Sequence, residues 1–286
     1  MPCLALLLGA TAARAQDSEL DPYRDRIQSI AHELMADLRP ALDVAGREII
    51  DSVSVEAPLS WVTNASAQRS LHRRRVVEFN AGLLAVTDWL AQSMIAEHEG
   101  YTGCLEEYSS YLVRVARKNS KRVLRGQLHN PVADFEEYAQ AFPGPCREAH
   151  VDIASKSNLE FRERILDGVV ATVLLHELAH HVLGHVDSNN RGFIIVHMRE
   201  SAADQWAIRM ASRMNYDLRA SVPLFLFLAA SGGGSLEDDI RSTHPSGLRR
   251  VRDLLVQTRE ILQASDPTSA HRMDRSIEEL NHSLLN

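Results

Sequence analysis

His176-Glu177-Leu178-Ala179-His180 is the part of this 286-residue chain best suited to chemistry. On a helix, positions i and i+4 share a face, so His176 and His180 can turn two imidazoles toward one metal ion. Glu177 projects from the same turn, within reach of a water that such a metal activates. A catalytic zinc takes three protein ligands and keeps one position open. Arg199-Glu200-Ser201-Ala202-Ala203-Asp204 opens a second helix that can supply the third. Glu200 is the expected ligand. Asp204, one turn later on the same face, is expected to take the second ring N–H of a ligating histidine and fix its tautomer. The small residues between them allow this helix to pack closely on the first.

A different third ligand is excluded by register. The pattern H-E-x-x-H-x-x-G-x-x-H puts a histidine where this chain has Val186, and its glycine one place before Gly184. The other histidines carry plainer expectations. His181 and His185 lie beyond the ligand turn and read as structural or surface groups. His32-Glu33 starts a similar pattern, but Ala36 stands at the second ligand position. His197 is close to Glu200 in sequence and could approach the site.

The elements that must hold these residues follow from periodicity. Asp21 to Leu38 reads as a helix with Ile27, Ile30, Leu34 and Leu38 on one face, stopped or interrupted by Pro40. A second helix is expected over Ala41 to Asp51. Arg75 to Asn80 is rich in β-branched and aromatic residues and reads as a strand, followed by a helix over Ala81 to Ile95. Helices are also expected over Glu160 to Val186, Met198 to Met214, Ala220 to Ala230 and Pro245 to Gln263. A last one follows the Asp266-Pro267 break. The segment from Glu97 to about Ser157 is the least readable and is expected to be an insertion or subdomain pinned by a possible disulfide between its two cysteines.

Composition bounds the rest. The formal net charge of −7 argues against a general nucleic-acid binder. The basic runs at Arg73–Arg75 and Arg117–Arg125 read as solvated faces. The opening MPCLALLLGATAARAQD resembles a secretory signal peptide cut after Ala15, although no Lys or Arg precedes its apolar stretch. No later unbroken apolar run reaches the roughly 18 residues of a membrane span, so no integral membrane segment is expected. Cleavage leaves Cys104 and Cys146, an even count that in an exported chain suggests a disulfide, with two buried free thiols as the alternative. Closing that loop would constrain the unfolded chain by roughly 4 kcal/mol.

Taken together, HELAHHVLGH (176–185), RESAAD (199–204) and STHPSGLRRVRDL (242–254) resemble the M48-type metallopeptidases within the gluzincins. VTNASA (62–67) and RRVVEFNAGLL (74–84) are similar to that family's Asn-Ala segment and the strand leading toward its active-site helix. The resemblance implies one zinc ion per chain held by His176, His180 and Glu200, with Glu177 as base and Asp204 behind the ligands. It adds His244 as a second catalytic group beside the oxyanion. Two departures stand out. A long segment separates the strand from the active-site helix, and the His180–Glu200 link is short for M48 and matches thermolysin-like enzymes.

The expected fold is α+β, a mainly helical zincin-like domain with a small sheet beside the active-site helix. The expected organisation is a signal peptide at 1–15, an N-terminal helical region at 16–55, a metallopeptidase domain at 56–265 with an insertion at about 97–157, and a C-terminal helix at 266–286. The expected function is a zinc-dependent endopeptidase acting on a peptide or protein, exported to a periplasm or secreted. A non-catalytic exported zinc-binding scaffold is the alternative.

Overall fold

The structure is a computed structural model that describes residues 19–123, 132–147, 149, 152, 155–187, 193–216, 218–231 and 248–285. The expected signal peptide and His244 lie outside these residues.

Helix α1 (Asp21–Leu38) buries Ile27, Ile30, Ala31, Leu34 and Leu38 along one stripe, as the i, i+3, i+4 spacing dictates. Pro40 interrupts it. Arg39–Ala41 continues as one 3-10 turn, and helix α2 begins only at Val44 and runs to Asp51. The delay has a local cause: Asp43 caps α2, its carboxylate accepting from Gly46 N at 2.7 Å.

Three strands form the sheet, in the order β1 (Val53–Glu56), β3 (Arg75–Phe79), β2 (Ala65–Arg69). β1 runs parallel to β3, with Val53 opposite Arg75, and β2 runs antiparallel, with Ala65 opposite Phe79. Helix α3 (Ala81–His98) follows β3 and is buried almost throughout its first thirteen residues. No side chain caps it. Instead the backbone N–H groups of Asn80, Ala81 and Gly82 donate to the carbonyls of Asn64, Pro58 and Ser60. This lays the 58–64 segment across the helix start and delivers the chain into β2. Gly82 is required there: a Cβ would stand 2.6 Å from Ser60 O and from Trp61 Cα.

The segment that shows no pattern in the sequence contains helices α4 (Cys104–Val123) and α5 (Phe135–Ala141). Cys104 and Cys146 are joined by a disulfide. Tyr108, Tyr111, Phe135, Tyr138 and Phe142 pack ring against ring between the two helices.

Helix α6 (Lys156–Val182) is the centre of the fold and packs against α1, α2, α3, β2 and β3. Ser155 caps its start, accepting from Asn158 N at 3.4 Å. Every residue from Gly168 to His181 is buried, so the helix is enclosed on all sides rather than amphipathic. By length and composition it could cross a bilayer, but 89% of its most apolar stretch is buried inside the protein. It ends at Gly184, whose φ of +72° is the left-handed turn that commonly follows a helix. Helix α7 (Phe193–Arg213) packs along α6 with Ala203, Ala207 and Ala211 buried. Helices α8 (Val222–Ser231), α9 (Leu248–Ser265) and α10 (Pro267–Leu285) complete the described chain. The molecule is mainly helical with one small sheet against the central helix, the expected α+β arrangement.

Candidate metal centre

The last two turns of α6 and the middle of α7 bring His176, His180 and Glu200 together. One ligand atom from each lies within 4.8 Å of the others, and all three residues are buried. His176 Nε2 is 3.1 Å from His180 Nε2. Glu200 reaches both rings, with Oε2 3.3 Å from His176 Nε2 and Oε1 3.4 Å from His180 Nε2. A tetrahedral zinc with bonds of about 2.0–2.1 Å spaces its ligand atoms about 3.3 Å apart. The observed separations are close to that spacing, with one Glu200 oxygen facing each ring. Two neutral imidazoles and one carboxylate are also a donor set that zinc accepts.

The rest of the site positions these atoms. His176 Nδ1 lies 2.8 Å from Asp204 Oδ1, the placement expected of a carboxylate that keeps the proton on Nδ1 and the lone pair on Nε2. Glu177 is buried on the same turn as His176, at 2% exposure. His197 precedes Glu200 by one turn of α7 and is half-buried.

His181 has the structural role expected of it, and His185 stands closer to the site than its sequence position suggests. His181 is fully buried, and its Nε2 lies 3.1 Å from the Val76 carbonyl. A carbonyl only accepts, so Nε2 carries the proton and ties the end of α6 to the central strand β3. Burial, the largest influence, pushes the His181 pKa down. His185 opens a 3-10 turn (His185–Asp187) just past Gly184, and its Nδ1 lies 3.0 Å from His180 Nδ1. Burial first, and the nearby Arg199 next, hold His185 below the ordinary histidine value. Asp187 pins the same turn to the sheet: Arg69 Nε and Nη2 donate to its Oδ1 at 2.8 and 2.6 Å, and Arg75 donates to its Oδ2 at 3.3 Å.

In this geometry two helices present buried atoms to one point where a metal ion could be held. Residues 194–258 match peptidase family M48. The matched stretch contains Glu200, Asp204 and His244, while His176, Glu177 and His180 lie just before it. The M48 match and the donor trio together support a metallopeptidase. No curated protein and no solved structure matches the chain.

Proposed function

We propose that this chain is a zinc-dependent endopeptidase that hydrolyses peptide bonds in a peptide or protein substrate. The observation that carries the proposal is the buried trio of His176, His180 and Glu200, one ligand atom of each lying within 4.8 Å of the others. Zinc held there supplies a Lewis acid, which acidifies water and polarises a scissile carbonyl.

The protein's own groups then divide the work. Glu177 takes the proton of the attacking water and passes it to the leaving amine, which must be protonated to depart. Asp204 holds His176 in the tautomer that leaves Nε2 unprotonated. The family resemblance adds His244 as a hydrogen-bond donor to the developing oxyanion. Deep burial of Glu177 keeps the proton relay away from bulk water.

The Cys104–Cys146 disulfide supports the further reading that the chain works in an oxidising compartment, periplasmic or extracellular. It also favours the residues after Ala15 as the working protein.

Zinc content per chain, in protein purified without added metal, tests the central claim. Wild type should carry one zinc, and Glu200→Ala and His180→Ala little or none. Wild type that takes up no zinc even when it is offered would rule out the metallopeptidase reading. A variant with full zinc would remove that residue from the ligand set.

A further inference from the structure

We infer that His185 is the positioning residue for the ligand His180, matching from the far side of the site what Asp204 does for His176. The inference rests on the zinc-site reading above.

His180 turns Nε2 toward the donor trio, 3.1 Å from His176 Nε2 and 3.4 Å from Glu200 Oε1. To bind a metal through Nε2, the ring must keep its lone pair there and hold its proton on Nδ1. That N–H needs an acceptor, because the ring is buried. The atom 3.0 Å from it is His185 Nδ1. Two unprotonated nitrogens cannot share a hydrogen bond, so the contact assigns both tautomers at once. His180 Nδ1–H donates, His185 Nδ1 accepts, and the second proton of the pair sits on His185 Nε2. The ring centroids are 5.0 Å apart with planes at 66°, an edge-on approach that fixes the angle of the ligand ring as well as its proton.

The choice of a neutral acceptor has an electrostatic reason. The site already gathers three carboxylates, from Glu177, Glu200 and Asp204. A fourth would add negative charge beyond what one divalent cation balances, at a buried position where such charge is costly. An imidazole accepts the hydrogen bond without it.

The fold builds this contact from outside the helix. Gly184, at φ +72°, reverses the chain after α6, and the short turn behind it carries His185 back over His180. The turn is clamped in place by Asp187 against Arg69 and Arg75 on β2 and β3. The sheet therefore sets the position of a metal ligand that belongs to a helix.

The test uses the full chain with His185→Leu and His185→Asn. Leucine fills the space and accepts nothing, whereas the Asn Oδ1 can stand where Nδ1 stood. Zinc affinity is read by competition with a chromophoric chelator, and the visible spectrum of the cobalt-substituted protein reports ligand geometry. His185→Leu should weaken zinc binding about 10–100-fold, the usual effect of losing a ligand's hydrogen-bond partner, and should alter the cobalt spectrum. His185→Asn should recover most of both. Wild-type affinity in His185→Leu, or equal loss in the two variants, would overturn the inference while leaving the zinc site intact. Wild type without zinc would overturn both readings together. Should the leucine variant not fold, the zinc-loaded wild type decides. A nitrogen–nitrogen coupling through the hydrogen bond between His180 and His185, seen by NMR, is expected, and its absence rules the contact out.

Discussion

Helix α6 carries two buried polar clusters, and they are built on opposite principles. Near its start, Arg162 meets Asp88 of α3, which is 1% exposed. Arg162 Nη2 donates to Asp88 Oδ2 at 2.7 Å, and Tyr23 OH donates to the same oxygen at 2.8 Å. The carboxylate there has its cation and its hydrogen-bond donors from the protein. Burial, with Asp88 beside it, pushes the Tyr23 phenol far above its ordinary pKa, so it stays a donor. Near the end of α6, the atoms aimed at one another are two imidazole nitrogens and a carboxylate, all electron-pair donors. The first cluster is complete as a piece of protein structure. The second gathers atom types that a metal ion would accept as ligands. Burial and charge are common to both; the sign of the groups that face each other separates a structural cluster from a chemical one.

The sharpest way to break this comparison is Glu177→Gln. It leaves the three ligands in place and removes only the base. The rate of peptide cleavage should fall about a thousandfold, within the range that general-base catalysis supplies. Zinc content and melting temperature should stay at wild-type values. Cleavage at an undiminished rate would take the proton transfer away from Glu177.

Asp88→Asn is the matching change in the other cluster, and the expected loss is in stability. It takes the Asp88 charge from half-buried Arg162, which keeps Glu163 at 3.6 Å, and should cost about 2 kcal/mol in urea unfolding through the weakened charged hydrogen bonds. The folded fraction should still bind one zinc per chain. Loss of zinc with no loss of stability would mean the two clusters are not independent.

The two clusters also differed in how far the sequence revealed them. His176, His180, Glu200 and Asp204 lie at helical spacings on two helices, and spacing of that kind is a local property that survives without a structure. The helix from Asp21 to Leu38 was legible for the same reason. Asp88 and Arg162 meet across 74 positions, and nothing local announces the pair. The same limit hides β2. Ala65-Ser66-Ala67-Gln68-Arg69 has no β-branched residue, and it becomes a strand only by pairing with β3. Helices α4 and α5 escaped notice because long-range contacts, the ring cluster and the Cys104–Cys146 bond, organise them. His185 read as a structural or surface group because its contact with His180 depends on the reversal at Gly184. A glycine closing an apolar helix, one residue before a histidine, was the available signal.

Within the metal centre, the His176–Asp204 contact offers a smaller test. Asp204→Asn keeps an oxygen acceptor near His176 Nδ1 but removes its charge. Zinc affinity should fall about tenfold, the low end for changes behind a metal ligand. Isothermal titration of the metal-free protein would read it. Unchanged affinity would mean that the carboxylate charge adds nothing to the site.

The smallest expected effect belongs to Asp187, which stands between the two designs. Like Asp88 it is paired with arginine, but its side chain is 41% exposed. The Arg69 hydrogen bonds, the largest influence, hold its pKa below the usual carboxylate value. A depressed carboxylate contributes stability above its unfolded pKa, about 3.9, and loses that contribution as pH falls through the lower folded value. Water and salt screen an exposed pair, so Arg69→Ala should cost less than about 1 kcal/mol at neutral pH. The difference from wild type should shrink in 1 M salt, and again below the folded pKa of Asp187. A cost that persists under both conditions would show that Arg69 acts through packing of its stem rather than through charge. Metal affinity separates the two roles of this clamp. If the turn holds His185 against His180, Arg69→Ala should speed zinc release even where its effect on stability is too small to measure.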